Sequence, residues 1–320
     1  MSTTPGTLFG STGAAAQTAA QTMVPLRLSG NMTDQQQARL KAMVHQAAED
    51  AYATIRELLD QQSAQTILDG ERKLGPEITR FLVDSIQQHT ISDKYKEEEV
   101  GSNRKYPNSY RERPVEAQVT ELRKAFPELG HCNEKLARRP LPTGAEAWFA
   151  IPRWDRIAPT YHEAVLRMVE AMAAKRRFSN RIAGKMTEQF LRSTDRSQHA
   201  FRLLCEQQEG SDILVIGAQF GLLHRGSSAR RTRVVLASNE YCLGSFAIGA
   251  MLLTHPERLS SSETLMIDCG GDEYSLRGDN TFDRVPLFDY DLGGVEFSIF
   301  YEDRARNLWG TPTAFLYKMV

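Results

Sequence analysis

The sequence predicts an α+β fold, in which a helical N-terminal hairpin precedes a mixed α/β domain with a sheet of about five strands. Two observations support this class. In the N-terminal part, apolar residues recur at spacings of three and four, which is the pattern of amphipathic helices. After Gly210 the pattern changes to short apolar runs rich in branched residues, which are typical of strands buried on both faces.

The N-terminal part is predicted to contain a tail and a hairpin. Residues 1–30 are rich in Ser, Thr, Gly and Ala. They offer too little apolar surface to offset the entropy cost of ordering, so a disordered tail is expected. Residues 31–91 are predicted to form the helical hairpin. Thr33 and Gln36 form a capping box at the start of a long first helix, and Pro76 suits the first turn of the second helix.

The first helix also carries a seven-residue repeat. Val44, Ala51 and Leu58 lie seven residues apart, so the 33–61 helix is a candidate contact between subunits of a homo-oligomer. Packing of this stripe onto the second helix of the hairpin is the alternative. One function class is therefore a non-catalytic structural or assembly protein that uses the 33–61 helix.

The rest of the chain is divided near the first tryptophan. Residues 92–147 are predicted to be a polar linker with one short helix that starts at Pro114. Residues 148–320 are predicted to be the mixed α/β domain. Its predicted helices are 159–178, 181–192, 195–208 and 241–253, and its predicted strands are 212–220, 233–237, 264–269, 285–290 and 295–301.

The composition predicts a soluble cytoplasmic protein. The N-terminus lacks the basic and apolar regions of a secretory signal. The longest apolar stretch, 241–253, is too short to span a bilayer, so no membrane partner is expected. The cysteines are far apart and form no CxxC pair, as expected of reduced thiols. They are Cys132, Cys205, Cys242 and Cys269.

Charge is distributed unevenly although the net charge is only −1. From Lys175 to Arg233 there are twelve Lys and Arg against five Asp and Glu. From Glu263 to Asp303 there are eleven acids against two arginines. Such asymmetry has two explanations: one face of the protein attracts polyanions, or the two segments neutralise each other within one folded domain.

The most suggestive motif is GAQFGLLHRGSSARRTR, residues 217–233. It follows a predicted buried strand, and it combines glycines, which allow close backbone approach, with hydroxyls and arginines that bind phosphate. Its spacing is neither that of a P-loop nor GxGxxG. The leading prediction is binding of a phosphate-bearing ligand, foremost nucleic acid, through arginine-rich loops. The alternative is a polar hairpin loop whose arginines pair with the acidic C-terminal segment.

Two further basic groups contain aromatic residues, a combination that suits a single nucleic-acid strand. They are KRRFSNR at 175–181 and NRKYPNSYRER at 103–113. The alternative for the first is a helix C-terminus with solvated charges. The predicted ligand-binding residues are Arg225, Ser227, Ser228, Arg230, Arg231, Arg233, Lys175, Arg176, Arg177 and Arg181.

An acidic stretch at 267–283 suggests a different chemistry. Carboxylates at the end of a strand and on the following loop are a common arrangement for Mg²⁺. The second prediction is therefore a metal-dependent phosphoester hydrolase, with Asp268 and Asp272 as metal ligands. Its catalytic residues would be His224, Asp268 and Glu273. The alternative is a solvent-exposed turn, in which Asp268 alone needs a partner because it lies within an apolar strand.

Other catalytic patterns are missing from the sequence. There is no GxSxG elbow and no HExxH motif. No cofactor is expected other than Mg²⁺ under the hydrolase alternative. The sequence leaves open whether the protein is an enzyme, which ligand it binds and whether the basic groups share one face. Candidate partners of Asp268 are Arg225, Arg231 and Arg233.

Overall fold

The computed structural model describes residues 33–69, residue 78 and residues 93–316. The chain divides into two compact units, Met1–Leu74 and Gly75–Val320. Helices and sheets are both present, so the predicted α+β class is confirmed. The described strands form two sheets, of four and seven strands, where the sequence predicts one sheet of about five.

The helices are α1 Asp34–Leu58, α2 Gln61–Asp69, α3 Val115–Ala125, α4 Tyr161–Ala173, α5 Asp195–Gln207, α6 Ala229–Val235 and α7 Ser245–Thr254. The strands are β1 Ala147–Pro152, β2 Phe178–Asn180, β3 Leu191–Ser193, β4 Ile213–Gln219, β5 Glu240–Cys242, β6 Met266–Asp268, β7 Asp272–Tyr274, β8 Arg284–Asp291, β9 Gly294–Tyr301, β10 Trp309–Gly310 and β11 Thr313–Phe315.

In the first unit, α1 begins directly after Thr33, as predicted. Its 25 residues correspond to about 37 Å at 1.5 Å per residue. Met43 and Tyr52 are exposed on it. The hairpin is not confirmed, because residues 76–91 apart from Ile78 lie outside the described residues, as does the predicted tail at 1–30. The use of α1 in assembly stays a prediction.

The four-stranded sheet is antiparallel, with the order β1-β4-β11-β5. β4 is buried along its whole length, which agrees with its continuous apolar sequence. The register pairs Ile151 with Leu214 and Tyr241 with Ala314, and Ala314 in turn pairs with Ala218. Because side chains alternate along a strand, Ile151, Leu214 and Tyr241 lie on one face of this sheet.

Two glutamines complete the hydrogen bonding of this sheet where no strand lies alongside. Gln118 on α3 donates to the carbonyl of Trp148 and accepts from the amide of Ala150, on the outer edge of β1. Gln208 bonds both the amide and the carbonyl of Val215, at 2.8 and 2.9 Å, beyond the point where β11 stops pairing with β4. Each side-chain amide therefore satisfies backbone groups that burial would otherwise leave unpaired.

The seven-stranded sheet is organised around β8, which pairs with β6, β7 and β9. The remaining pairs are β10 with β6, β3 with β7 and β2 with β9. A two-residue turn at Leu292 and Gly293 joins β8 to β9. Both residues have positive φ, 48° and 80°, as a type I′ hairpin turn requires. The two strands match the predicted strands 285–290 and 295–301.

α4 and α7 pack closely in the core. Thr160 caps α4 by accepting from the amide of Glu163, so the predicted start of this helix is confirmed. Gly249 on α7 faces Met168 on α4, and a Cβ atom at Gly249 would lie 2.6 Å from the Met168 Cγ. α7 is buried along nearly its whole length. In the part of the chain that the structure describes, no helix is long and apolar enough to cross a membrane.

Two of the predicted elements are wrong. Residues 233–237 were expected to form a strand, but α6 covers Ala229–Val235, because Ser228 caps the helix by accepting from the amide of Arg231 at 2.9 Å. Residues 181–192 were expected to be a helix. They contain one short 3₁₀ turn at Ala183–Lys185 and the start of β3, which pairs with β7.

Candidate functional site

The predicted phosphate loop leads into α6, and the first arginine of this helix is bound to an acidic segment upstream. Arg230 on α6 forms an ion pair with Glu98. Its guanidinium carbon also lies 4.1 Å from the ring centre of Tyr95. The Ser228 hydroxyl donates to the same Glu98 carboxylate at 2.6 Å. Glu98 is buried, so this carboxylate needs both partners.

Arg231 is buried and is bound to the same segment. It donates to the Glu99 carboxylate at 2.5 Å and to the carbonyl of Lys94 at 2.6 Å. Ser227 forms a β-bridge with Glu99. Arg225 is the exception in this loop, because it is exposed and donates only weakly to the carbonyl of Arg104, at 3.3 Å.

Arg233 points instead to the acidic C-terminal segment, as the structural alternative predicts. It forms an ion pair with Glu302 and donates to the carbonyls of Gly270 and Asp272, at 2.8 and 2.7 Å. Arg230, Arg231 and Arg233 therefore hold the fold together. Whether they also bind a ligand stays a prediction.

The basic group at 175–181 is bound in a similar way. Lys175 pairs with Glu121 at 3.1 Å, and Arg181 pairs with Glu296 at 2.7 Å. Arg176 donates to the carbonyls of Pro256 and Leu259. The backbone carbonyl of Arg177 accepts from the amide of Val295, which joins this segment to β9.

The acids predicted as a metal or catalytic site have separate partners. Asp272 is fully buried. Its carboxylate accepts from the Tyr161 hydroxyl at 2.7 Å and from the amide of Ser245 at 2.6 Å, so it caps α7. Burial raises the pKa of Asp272 to about 6, against the opposing effect of these hydrogen bonds. Glu273 pairs with Arg192 at 2.9 Å.

Asp268 is buried at the end of β6, as expected. Burial raises the pKa of Asp268 to about 7, and the charges of Arg306 and Arg233 oppose that shift. Arg233 is one of its three predicted partners, but it acts only through its charge. Among the described residues, no side chain is hydrogen-bonded to the Asp268 carboxylate.

His224 is bound away from these acids. Its Nε2 lies 2.7 Å from the Glu240 carboxylate, which also accepts from the Thr313 hydroxyl at 2.5 Å. Burial acts to raise the pKa of Glu240, but the hydrogen bond and charge of His224 hold it below its ordinary value. Within residues 33–69 and 93–316, no group of three or more His, Cys, Asp and Glu side chains is placed to hold a metal ion.

A cavity of about 710 Å³ lies elsewhere in the second unit, between α5 and one face of the four-stranded sheet. The sheet contributes Ile151, Leu214, Ile216 and Tyr241. These residues share one face because Leu214 and Ile216 are two apart on β4 and the register places the others beside them. The wall on this side is therefore almost entirely apolar.

The opposite wall is built from α5, which Thr194 caps through the amide of Ser197. Phe201, Leu204 and Cys205 face the cavity, at the spacing of three and four that places residues on one helix face. Trp154 stacks on Phe201, with ring centres 5.8 Å apart. Aromatic rings thus form much of this wall, and the start of α7 closes the end of the cavity.

Polar groups gather at the mouth of the cavity. Arg202, Glu188 and His162 line it, and the first two are exposed. Arg202 and Glu188 have no ion-pair partner in the described ranges, unlike Arg230, Arg231 and Arg233. The Nε2 of His162 lies 3.2 Å from the Thr160 hydroxyl. The mouth therefore offers groups of both charges to a bound molecule.

Groups that could act as nucleophiles in the cavity are held in their neutral forms. Burial raises the pKa of Cys205 to about 11 and that of Cys242 to about 12. Burial also raises the pKa of Tyr161 well above its ordinary value, and its hydroxyl donates to Asp272. Because thiolates are the reactive form of cysteine, these residues suit binding better than covalent catalysis.

The sequence did not predict this cavity. Its lining comes from separate elements between residues 151 and 247. A partial signal was present in the sequence, because Trp154 is a large aromatic residue in a stretch rich in prolines and glycines. No protein-family model, curated protein or solved structure matches the chain.

Proposed function

We propose that the chain binds a small, largely apolar molecule in the cavity between α5 and the four-stranded sheet. The cavity's size and lining support this proposal. Ligand sites typically enclose about 300–1,000 Å³ and combine apolar walls with a few polar groups, and this cavity encloses about 710 Å³. Water makes poor contacts with walls such as Leu214 and Phe201, so an apolar molecule that displaces it gains free energy.

The two ends of the cavity suggest the shape of the ligand. Its inner part meets apolar and aromatic side chains, whereas its mouth carries Arg202, Glu188 and His162. A flat or branched apolar body that ends in a polar or charged group fits this arrangement. The protonated state of Cys205 and Cys242 favours reversible binding over reaction.

The experiment is a titration of the full chain with 8-anilinonaphthalene-1-sulfonate, an apolar dye with one anionic group, followed by dye fluorescence. Ala247 lines the cavity, so Ala247→Trp fills it with an indole ring. Ala174 is exposed at the end of α4 and lies outside the cavity, so Ala174→Trp is the matched control. We expect saturable binding that Ala247→Trp weakens at least tenfold and Ala174→Trp leaves unchanged.

Circular dichroism must first show that both variants are folded. Equal dye affinity in wild type and a folded Ala247→Trp would contradict the proposal, because the dye would then bind elsewhere. If Ala247→Trp does not fold, Arg202→Glu tests the mouth without filling the cavity. It should weaken binding of the anionic dye, and an unchanged affinity would count against this orientation of the ligand.

A further inference from the structure

Three arginines stack on two aromatic rings at the end of the β8–β9 hairpin. We name Arg284, Phe300, Tyr301, Arg304 and Arg306 the arginine–aromatic patch. The guanidinium carbons of Arg284 and Arg304 lie 3.5 and 4.5 Å from the ring centre of Tyr301. That of Arg306 lies 3.7 Å from the ring centre of Phe300. The two rings are nearly perpendicular, with centres 5.6 Å apart.

The hairpin explains why these residues meet. Arg284 begins β8, Tyr301 ends β9, and the register places them directly opposite each other. Opposite residues of an antiparallel pair have their side chains on the same face, close enough to stack. Arg304 and Arg306 lie in the segment immediately after β9, which returns towards β10.

Arg304 and Arg306 differ from Arg230, Arg231 and Arg233 in their charge environment. Both are exposed, and neither forms an ion pair with a carboxylate among residues 93–316. The neighbouring acids are largely engaged elsewhere, because Glu302 pairs with Arg233 and Asp283 pairs with Arg284. Arg304 thus has no carboxylate partner among these residues, and Arg306, whose charge also acts on buried Asp268, is still exposed to an external anion.

A second stack adjoins the patch. Arg230 lies over Tyr95, and its backbone amide donates to the carbonyl of Glu302 at 2.9 Å. Lys94 lies 4.9 Å from the same Tyr95 ring centre. Planar groups and cations therefore continue beyond the patch. Asp303 and Glu97 are exposed acids on the same segments, and their repulsion of phosphates would oppose binding of a polyanion here.

We propose that the arginine–aromatic patch binds single-stranded nucleic acid, at a site separate from the cavity. The guanidiniums of Arg304 and Arg306 would contact phosphates, and bases would stack on the exposed planar groups. Single strands suit this surface because their bases are free to stack on aromatic and guanidinium planes. A duplex hides those base faces and offers only its phosphates.

The test is fluorescence anisotropy of a labelled 20-nucleotide oligothymidylate with the full chain, measured over a range of salt concentrations. The double variant Arg304→Ala/Arg306→Ala should weaken binding tenfold or more. It should also reduce the log–log salt slope by about 1.4, because each phosphate contact on a single strand contributes about 0.7. Arg277→Ala removes an exposed arginine outside the patch and should leave both quantities unchanged.

Two further variants separate stacking from charge. Arg304→Lys/Arg306→Lys keeps both charges but removes the planar guanidinium groups. This variant should therefore keep the salt slope of wild type and bind the oligonucleotide more weakly. Tyr301→Leu should weaken binding with no change in slope, and Ala247→Trp should have no effect, which separates this site from the cavity. The proposal is overturned if the oligonucleotide does not bind. It is also overturned if a DNA duplex of the same length binds as tightly as the single strand. The same holds if Arg277→Ala weakens binding as much as the double variant does.

Discussion

Asp268→Asn is predicted to stabilise the protein increasingly as the pH rises. Burial raises the pKa of Asp268 in the folded state from its ordinary value of 3.8 to about 7. Between these values the folded state keeps the proton and the unfolded state has lost it. The favourable contribution is therefore complete below pH 3.8 and is lost as the pH rises through about 7. Asparagine keeps the shape of the protonated acid and does not ionise.

The magnitude follows from the width of this pH window. One pH unit corresponds to 1.36 kcal/mol for one proton, so the full interval from 3.8 to about 7 amounts to roughly 4 kcal/mol. Part of the loss has already occurred at pH 4.5. Between pH 4.5 and 8.5, the advantage of the variant over wild type should therefore grow by about 3 kcal/mol. The pKa of Asp272 is also raised, but Asp272 is present in both proteins, so its effect on the difference in stability cancels.

The measurement is urea unfolding of wild type and Asp268→Asn at several pH values from 4.5 to 8.5. Asp279→Asn is the control. Asp279 is exposed, and its pKa lies below its ordinary value because the amide of Thr281 donates to it, so this variant should show no growing advantage in this range. A difference between Asp268→Asn and wild type that is constant or shrinks with pH would refute the reasoning.

Two predictions concern the backbone. Leu292→Asn should stabilise the protein by about 1 kcal/mol in thermal unfolding. Leu292 is exposed with a φ of 48°, and asparagine tolerates this conformation at lower cost. An unchanged Tm would count against strain in this turn. Gln208→Ala should destabilise it by about 2–4 kcal/mol in urea unfolding, because it leaves the amide and carbonyl of Val215 unpaired. Gln198 is exposed, so Gln198→Ala is the control, with an expected loss of stability under 1 kcal/mol. An equal loss of stability in both variants would contradict the role of Gln208 in pairing the backbone of Val215.

Elements with local signals could be predicted from the sequence. α4 has Thr160 and Glu163 at its start together with an apolar stripe, and in the structure Thr160 caps the helix and the stripe is buried. β4 is a continuous apolar run, and it is fully buried. In these segments the propensity, the cap and the burial all favour the same element, so the surrounding fold did not change the outcome.

Elements fixed by distant partners could not be predicted. The branched residues of 233–237 favour a strand, but Ser228 caps α6, and Glu98 and Glu99 hold its arginines from about 130 residues upstream in the chain. The cavity depends in the same way on α5 lying over the four-stranded sheet. A periodic pattern shows which helix face is buried, but it does not show whether the space beneath that face is filled.

Individual ion pairs explain much of the uneven charge of the sequence. Arg181 with Glu296, Arg192 with Glu273 and Arg233 with Glu302 each join the basic 175–233 segment to the acidic 263–303 segment. These pairs favour internal neutralisation as the explanation for much of the asymmetry.

Because Arg233 neutralises Glu302, that carboxylate does not compete for Arg304, which lies two residues further on. Arg304 and Arg306 therefore have no competing carboxylate from this pair, although they directly follow the acidic run and lie outside the basic one. A segment's net charge is thus a poor guide to where an anion binds. The charge that matters is the one left after internal pairing, and Arg304 and Arg306 keep theirs because they form no ion pair among the described residues and are exposed.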